Sequence, residues 1–405
     1  MALKIGLIKE GKTPPDKRVP LTPKQCARLV QEYSNIDLVV QKSPIRAFKD
    51  EEYTQQGIEV VDSIQDCDVI MGVKEVNISD LVPNKQFFFF SHTLKKQPYN
   101  KDLLKAVIDK KIKLTDYEAL TKPNGLRLVG FGRYAGIVGC YNGFRTYGLK
   151  HNLYNLKPAH ECEDRKEMEG ELSKVDLPKN TKIVLTGFGR VGNGAREIID
   201  LLPIKEVVSE EYLNESFDGP VYTHLNVEDY NKRVDGQSFD KAAFYKTGEG
   251  HVSTFPNYLP ETDMYIACHF WKEGSPFIFT REDLKSDDVR LSVVADISCD
   301  IDGPVASTLR PSTIADPIYG YDPITEKEVD FKTKGVIAVM AVDNLPCELP
   351  KDASEDFGGE LIKHVFPALL DSDPTDIIAR ASETTKEGKL SQYFAYLEDY
   401  LAGKE

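Results

Sequence analysis

The sequence lacks the patterns of metal-binding, secreted and membrane proteins. Its seven cysteines are scattered without a C-x-x-C pair, and its His and Cys residues lack the spacing of zinc ligands. Such dispersed cysteines are typical of reduced cytosolic thiols. No apolar run approaches the ~20 residues that a membrane helix needs, and the opening residues do not resemble a signal peptide. We therefore expect a cytoplasmic protein without a metal site.

Positive charge is in short supply. The 405 residues include 65 Asp and Glu against 51 Lys and Arg, which gives a net charge of -14. An acidic surface repels phosphate backbones and anionic lipids, so nucleic-acid and membrane partners are disfavoured. A small anionic substrate would need a cleft that is locally basic. Basic residues beside candidate catalytic groups are therefore candidates for binding such a substrate.

Short apolar runs alternate with helical periodicity along the chain. This alternation predicts an α/β fold with two Rossmann-like, doubly wound parallel-sheet domains and an interdomain cleft, and the length exceeds that of a single core. We assign 1–134 with 346–405 to a substrate and catalytic domain, and 135–345 to a dinucleotide-binding domain. The predicted strands are 3–8, 37–40, 68–73, 87–90, 112–115, 182–186, 206–208, 264–267, 291–297 and 336–342.

Helix signals lie between these runs. Thr22, Pro23 and Gln25 form the start of a capped helix. Further helices are expected at 100–110, at 132–150 crossing between the domains, and from Ser354 onward, packing back on the first domain. Four consecutive phenylalanines, 87–90, indicate a strand covered on both faces. The charged stretch 160–171 is interpreted as a solvated loop, and the polar segment between Glu210 and Pro260 shows no assignable pattern.

A glycine-rich turn follows the predicted strand 182–186 and opens a helix. Gly187, Gly189 and Gly192 form the G-x-G-x-x-G pattern. Glycines allow a tight turn and a close backbone approach to a pyrophosphate, and the helix N-terminus provides unpaired N–H groups. The strand and helix on either side are the context that the motif requires. The turn therefore predicts a dinucleotide site.

An acidic residue after the next strand would hydrogen-bond the ribose of the dinucleotide. Glu210 and Glu211 follow the predicted strand 206–208 and compete for this role. A carboxylate at this position repels a 2'-phosphate. NAD is therefore favoured over NADP, and NADP is kept as the alternative.

Two candidate proton carriers follow neighbouring strands of the first domain. Lys74 comes directly after an apolar strand, and His92 follows the phenylalanine strand by two residues. Parallel strands place such residues at one sheet edge, where ligands bind. Desolvation and cationic neighbours lower the pKa of a lysine, and imidazoles titrate near neutral pH. The pair predicts acid–base chemistry.

Several separated stretches resemble saccharopine dehydrogenases. The opening residues 5–10 (I-G-L-I-K-E), Arg18 and 21–23 (L-T-P) are similar to the N-terminus shared with alanine dehydrogenases and transhydrogenases. The stretches that narrow the resemblance to the lysine-forming enzymes and to lysine-ketoglutarate reductases are 72–74 (G-V-K), 89–95 (F-F-S-H-T-L-K), 116–118 (D-Y-E), 131–136 (F-G-R-Y-A-G), 295–298 (A-D-I-S) and 342–346 (V-D-N-L-P).

This resemblance implies roles for matching residues. Lys74 and His92 become the acid–base pair of an oxidative deamination that converts saccharopine to lysine and 2-oxoglutarate. The implied substrate-binding residues are Arg18, Lys95, Glu118 and Arg127. The implied cofactor contacts are Gly189, Arg190, Glu210, Asp343 and Leu345.

Two other functions are compatible with the same residues. The first is another amino-acid or opine dehydrogenase, such as one that forms alanine, because fold alone does not separate these chemistries. The second is a non-catalytic protein that only binds a dinucleotide. The presence of both Lys74 and His92 counts against the second, and the extra cations Lys95 and Arg127 count against the first.

Overall fold

The computed structural model describes residues 2–404, which fold into two compact units. The first unit runs to Phe131 and resumes at Pro350, and the second is Gly132–Leu349. Each unit is built on a parallel sheet with helices, as the alternating sequence pattern predicted.

The first stretch of the chain forms a six-stranded sheet and three helices. In chain order they are β1 (Leu3–Leu7), α1 (Pro23–Glu32), β2 (Ile36–Gln41), α2 (Asp50–Gln55), β3 (Glu59–Val61), β4 (Val69–Met71), β5 (Gln86–Phe89), α3 (Lys101–Asp109) and β6 (Lys113–Asp116). The capping box of α1 is confirmed, because the Thr22 side chain accepts from Gln25 N and the Gln25 side chain accepts from Thr22 N.

The strands of this sheet are all parallel, in the order β3-β2-β1-β4-β5-β6. The order reverses between β1 and β4, where the loops diverge and leave a crevice beyond the strand ends. Such a crevice is where open parallel sheets bind ligands. The residues that follow β1, β4 and β5 are therefore the first to consider as a site.

The phenylalanine strand is covered on both faces, as predicted. Phe88 and Phe90 join one apolar cluster, whereas Phe87 and Phe89 join the cluster on the opposite face. Because successive strand residues point to opposite faces, only a central strand can bury four aromatic rings in a row.

The second unit contains five helices and ten strands. In chain order they are α4 (Gly132–His151), α5 (Arg165–Glu171), β7 (Lys182–Thr186), α6 (Arg190–Ile199), β8 (Lys205–Glu206), α7 (Ser209–Asn214), β9 (Val221–Leu225), β10 (Asn231–Arg233), α8 (Lys241–Thr247), β11 (His251–Ser253), β12 (Met264–Ala267), β13 (Val293–Asp296), β14 (Ile318–Asp322), β15 (Lys327–Val329) and β16 (Ile337–Met340). Helix α4, expected to cross between domains, lies wholly in this unit.

The large sheet of the second unit has the order β15-β14-β16-β13-β12-β7-β9-β8. Strands β14 and β15 pair antiparallel at one edge, and the remaining strands are parallel. The strand beside β7 on the far side from β12 is β9, not the short β8. Strand β9 was not predicted because V-Y-T-H-L lies inside a polar segment. The apolar pair Val207-Val208 led to a strand being predicted at 206–208 instead.

The expectation that 160–171 forms a loop is wrong. Helix α5 occupies most of this stretch, and the Asp164 side chain caps it by accepting from Glu167 N at 2.9 Å. Met168 is fully buried, and Arg165 pairs with Glu197 on α6. Charged residues outnumber apolar ones here, so one buried methionine and ion pairs hold the helix where periodicity gave no signal.

The chain then returns to the first unit, as the periodicity after Ser354 indicated. Four helices follow: α9 (Pro350–His364), α10 (Phe366–Leu370), α11 (Ile377–Ala381) and α12 (Glu398–Ala402). The buried Phe357 of α9 packs on three rings, with centroid distances of 4.5 Å to Phe131, 5.1 Å to Tyr117 and 5.9 Å to Phe90. Within residues 2–404, no helix is both long and apolar enough to cross a membrane.

The substitution Phe357→Ala tests this packing. We expect it to lower the free energy of unfolding by about 3–5 kcal/mol, because a buried ring at the centre of an aromatic cluster leaves a cavity. Chemical denaturation measures the change. The exposed Lys363 lies on the same helix, and Lys363→Ala should shift the value by less than about 0.5 kcal/mol. Equal effects of the two substitutions would contradict this packing.

Candidate active site

Charged side chains follow four strands of the six-stranded sheet at its carboxyl edge. Glu10 lies just beyond β1, Lys74 and Glu75 beyond β4, His92 beyond β5 and Glu118 beyond β6. Because all six strands are parallel, their carboxyl ends share one edge of the sheet. The two residues predicted as proton carriers, Lys74 and His92, are therefore brought to the same side of this unit.

Glu10 occupies the crevice where the strand order reverses. Its carboxylate accepts hydrogen bonds from Val73 N at 2.7 Å and from Lys74 N at 2.9 Å. Desolvation nevertheless raises the pKa of Glu10 to about 7. Glu10 thus holds the backbone at Val73 and at the candidate catalytic Lys74. No role for Glu10 was predicted from the sequence.

Lys74 is half-buried, and desolvation lowers its pKa below the ordinary lysine value. The positive charges of Arg18 and Lys12 lower the pKa further, against the opposing effect of Glu75 and Asp16. Both causes favour the neutral amine. The site therefore provides a lysine that can act as a base.

Arg18 is almost fully buried, with 2% of its side chain exposed. Its guanidinium donates to both oxygens of Asp16, from Nε at 3.0 Å and from Nη2 at 2.6 Å, and lies 4.2 Å above the Phe131 ring centroid. Such a bidentate pair compensates the desolvation of both charges. The structure thus places Arg18 in a buried ion pair, close enough to Lys74 to affect its protonation.

His92 is oriented by a carboxylate. Its Nδ1 lies 2.7 Å from Glu75 Oε1, and the other oxygen of Glu75 lies 2.8 Å from Lys12 Nζ. Burial would raise the pKa of Glu75, but the hydrogen bonds from His92 and Lys12 hold it near 2. An ionised carboxylate only accepts, so Nδ1 donates and the imidazole Nε2 is left to exchange a proton.

The remaining predicted substrate residues form a second charge cluster. Glu118 Oε1 lies 2.9 Å from Lys95 Nζ and 2.7 Å from Arg127 Nη2. Despite burial, Arg127 and Lys95 hold the pKa of Glu118 below its ordinary value. Both cations are 48% exposed, whereas Glu118 is 11% exposed. Two exposed positive groups on one shielded carboxylate make this edge locally basic, as an anionic substrate requires.

The glycine turn in the second unit has the geometry of a phosphate cradle. Gly187 has a φ of +91°, and a Cβ there would stand 2.2 Å from the carbonyl oxygen of Cys268. A Cβ on Gly192 would stand 1.8 Å from Gly187 O, whereas a Cβ on Gly189 would meet no atom within 4 Å. Gly189 caps the ten-residue helix α6, so open space lies against its N–H groups. These residues fit a dinucleotide pyrophosphate.

A histidine missed by the sequence argument supports this turn. His224, on β9, has Nε2 2.7 Å from Gly187 O, and its ring stacks on Phe188 with centroids 3.7 Å apart. A carbonyl oxygen only accepts, so Nε2 donates. Burial lowers the pKa of His224, and the hydrogen bond to Gly187 opposes this shift. The sequence could have indicated His224 only as a histidine within a strand, but strand β9 was not predicted.

The other predicted cofactor residues lie in different settings. Arg190 is the first residue of α6, beside the turn. Asp343 is exposed just after β16, and Leu345 is buried, 3.0 Å from where a Cβ on Gly139 would stand. Glu210 is exposed in the first turn of α7.

Glu210 follows β8, the next strand along the chain after β7, but β8 does not lie beside β7 in the sheet. Strand β8 pairs only with β9 in the described sheet, and β9 separates it from β7. The acids that follow the strand adjacent to β7 are Glu228 and Asp229, both exposed. Asp229 accepts from Asn226 N at 2.6 Å, and Glu228 accepts from Asn226 Nδ2 at 3.0 Å. The ribose position of a Rossmann fold is at this strand end.

Sequence comparisons match almost the whole chain. The profile of the alanine dehydrogenase/PNT N-terminal domain matches residues 6–138. Alpha-aminoadipic semialdehyde synthase of Arabidopsis thaliana is 28% identical over 438 residues, which cover 97% of this chain and 41% of the plant protein. The chain thus spans less than half the length of that relative. Saccharopine dehydrogenase (NAD(+), L-lysine-forming) of Yarrowia lipolytica is 26% identical, with 91% of this chain and 92% of the relative covered.

Solved structures share the fold. An L-alanine dehydrogenase superposes with a TM-score of 0.67 at 17% identity, covering 99% of this chain and 100% of the other. The transhydrogenase from Sinorhizobium meliloti has a TM-score of 0.57 at 13% identity, covering 96% and 99%. These structures show that the chain has the fold of the L-alanine dehydrogenase, and over most of its length its sequence is similar to alpha-aminoadipic semialdehyde synthases and to saccharopine dehydrogenases.

Proposed function

We propose that this protein is a nicotinamide-dependent dehydrogenase that interconverts saccharopine with L-lysine and 2-oxoglutarate. One observation carries the proposal: Lys74, whose pKa is lowered by desolvation and by Arg18, directly precedes Glu75, which orients His92. A neutral amine and an oriented imidazole are the proton carriers that oxidative deamination of a secondary amine needs. Relatives named as saccharopine dehydrogenases, matched over nine tenths of this chain, support the same reaction.

The charges around the site suit a substrate with several carboxylates. Saccharopine carries three, and Lys95 and Arg127 present exposed positive groups from the shielded Glu118. Two cations against one anion leave a net positive charge for a substrate carboxylate. Arg18 is engaged with Asp16 and shielded from solvent. The positive charge of Arg18 would then favour the neutral form of Lys74. The resemblance to saccharopine dehydrogenases implies that Arg18 also contacts the substrate.

The residues of the first unit would move protons in a defined order. The substrate amine loses its proton to the neutral Lys74. A bound nicotinamide dinucleotide supplies the hydride acceptor for the adjacent carbon. His92, whose Nδ1 is held by Glu75, uses Nε2 to take a proton from the water that adds to the substrate imine. One member of the protonated pair then gives a proton to the carbinolamine nitrogen and, now neutral, takes the proton of the carbinolamine hydroxyl as the C–N bond breaks, which releases lysine and 2-oxoglutarate.

We assign the cofactor preference to the end of β9 and propose NAD, with NADP as the alternative. Glu228 and Asp229 are exposed there, and a carboxylate at this strand end hydrogen-bonds a ribose diol but repels a 2'-phosphate. Glu228 and Asp229 thus replace Glu210 as the acidic residues that favour NAD.

A second enzyme function, the formation of alanine, is distinguished from the first by an absorbance assay. The fold shared with an L-alanine dehydrogenase fits an enzyme that makes alanine from pyruvate and ammonia. Reduced-cofactor absorbance with lysine plus 2-oxoglutarate, compared with pyruvate plus ammonia, separates the two reactions. Turnover of pyruvate alone would replace the proposed substrate, and cofactor binding without turnover of either pair would indicate a non-catalytic protein.

Removing either proton carrier should slow the chemical step. We expect Lys74→Met and His92→Gln each to lower kcat by about 10²- to 10⁴-fold, because acid–base catalysis contributes that much. The dissociation constant of the cofactor should stay within about twofold, since neither residue lies in the unit with the glycine turn. The exposed Lys42 provides a matched control, and Lys42→Met should leave kcat unchanged. Wild-type turnover in both variants would refute the assigned roles.

The pH dependence of activity should follow the charge of Lys74. A base works only when it is neutral, so kcat/KM for saccharopine should rise with pH through the lowered pKa of this lysine. Lys12 is one of the cations that lower it. Replacing that cation in Lys12→Met should therefore move the acidic limb to higher pH by about half a unit. A limb that moves to lower pH, or moves equally in Lys42→Met, would contradict the assignment.

The cofactor assignment is tested at two places in the second unit. In a chain with both Glu228→Gln and Asp229→Asn, we expect the ratio of kcat/KM for NAD to that for NADP to fall about tenfold or more, because the repulsion of a 2'-phosphate is removed. Glu210→Gln is the matched control and should leave the ratio unchanged. The reverse pattern would return the ribose contact to Glu210.

A further inference from the structure

Two carboxyl groups that the proposed mechanism does not use lie beneath His92. Asp116 ends β6, and Glu383 follows α11 in the C-terminal part of the chain. Both side chains have no exposed surface. Fully buried carboxyl groups are rare unless hydrogen bonds or an opposite charge compensate for the loss of water, so polar partners are expected around both.

The C-terminal segment is attached to the edge of the sheet at this point. Glu383 N donates to Leu114 O at 2.7 Å, and Leu114 N donates to Thr384 Oγ1 at 2.9 Å. Thr115 and Ser382 are joined by an antiparallel bridge. This short pairing continues the sheet beyond β6 and delivers the carboxyl of Glu383 to that of Asp116.

The two carboxyls hold both neighbours of His92. Ser91 Oγ lies 2.5 Å from Asp116 Oδ2 and 2.8 Å from Glu383 Oε1, and Ser91 N donates to Asp116 Oδ2 at 2.8 Å. Thr93 Oγ1 lies 2.5 Å from Glu383 Oε2 and 2.6 Å from Ser91 Oγ. Residues on both sides of the candidate catalytic histidine are therefore tied to the same buried pair.

Counting hydrogens shows that the pair holds a proton. Ser91 and Thr93 supply two hydroxyl hydrogens, but their oxygens make four contacts of 2.8 Å or less with each other and with the carboxyls. Each such contact needs a hydrogen between the oxygens. The two hydroxyl hydrogens fill at most two of the four contacts, so Asp116 and Glu383 cannot both be ionised, because an ionised carboxylate only accepts.

We propose that Asp116 and Glu383 share a proton and act together as positioning residues for His92. The pair fixes Ser91 and Thr93, and so keeps the histidine between them in the left-handed conformation, with a φ of 53°, from which its ring reaches Glu75. A non-glycine residue with positive φ persists where the surrounding structure holds it. This inference rests on the proposed role of His92 as a proton carrier.

The titration of the pair agrees with this geometry. Burial, and then the neighbouring Asp116, raise the pKa of Glu383 to about 8, and burial also raises the pKa of Asp116. The other ionisable groups that act on the pair are Tyr117, Glu118, Tyr396 and Tyr400. Burial raises the pKa of each of these tyrosines, so they stay neutral where Glu383 titrates, and Glu118 is already ionised.

Two consequences of losing the proton follow. Above about pH 8 both carboxyls of the pair carry charge, and their repulsion loosens the turn that holds His92. In the unfolded chain the Glu383 carboxyl releases its proton near its ordinary pKa of 4.5. The stability that this group contributes is therefore full below that pKa and is lost as pH rises from there to about 8.

The experiment compares three variants of the full chain. Glu383→Gln keeps a hydrogen for Asp116 but cannot ionise, Glu383→Ala removes the support, and Glu387→Gln changes an exposed glutamate nearby in the same segment. We expect Glu383→Ala to lower kcat about 10- to 100-fold with the KM for the cofactor unchanged, because a small displacement of a catalytic group costs that much. Glu383→Gln should restore kcat to within about threefold and lack the alkaline fall of the wild type. The Glu387→Gln control should match the wild type throughout.

Infrared spectroscopy gives a readout that does not depend on the substrate. The spectrum of the wild type minus that of Glu383→Gln at about pH 6 should contain the carbonyl band of a protonated, buried carboxyl, while the band of Glu10, whose pKa is also raised, is common to both and cancels. Loss of the band together with a substrate other than saccharopine would leave the pair established and the proposed reaction wrong. Should Glu383→Ala fail to fold, Thr93→Val removes one hydroxyl, with its contacts to Glu383 and Ser91, and should also lower kcat.

Three results would overturn the inference. They are no carboxyl band that depends on Glu383, an alkaline fall in kcat that persists unchanged in Glu383→Gln, and a wild-type kcat in Glu383→Ala or Thr93→Val. Any of these could occur while saccharopine is turned over normally, so failure of this inference is distinguishable from failure of the proposed function.

Discussion

The removal of charged side chains from water at the carboxyl edge of the first sheet is the constraint on which the site depends. A buried charge is costly unless a hydrogen bond or an opposite charge compensates it. Arg18 forms an ion pair with Asp16, and the Glu10 carboxylate accepts hydrogen bonds from the N–H groups of Val73 and Lys74. Where the compensation is incomplete, as at Lys74, the pKa of the group is lowered, which favours the neutral amine that the proposed role as a base requires.

The same constraint acts differently on neighbouring groups of one edge. Glu75 is partly buried as Glu10 is, yet its pKa is held near 2 because His92 and Lys12 both donate to it, while that of Glu10 rises to about 7. An ionised Glu75 determines which imidazole nitrogen carries hydrogen in His92. The partners that each side chain contacts thus determine whether it orients a neighbour, as Glu75 does, or is a proposed proton carrier, as His92 is.

In the second unit, close backbone packing has the corresponding role. A Cβ on Gly136 would stand 1.9 Å from Val191 O, and one on Gly194 would stand 2.1 Å from Arg133 O, so α4 and α6 lie against each other through glycines. This contact positions the N-terminus of α6, where Gly189 leaves space for a ligand. Glycines therefore allow the close packing of the two helices and leave the space that the proposed dinucleotide would need.

The sequence by itself determined much of the local structure and the resemblance to saccharopine dehydrogenases. Periodicity, the Thr22 cap and the phenylalanine run depend on neighbouring residues, and the signature stretches and strand-end residues Lys74 and His92 were recognisable in one dimension. Only the tertiary structure decided that β9 lies beside β7, that Arg18 is buried, and that Glu383 meets Asp116. Strand order and the pairing of buried charges arise from contacts between residues far apart in the chain, which no local pattern encodes.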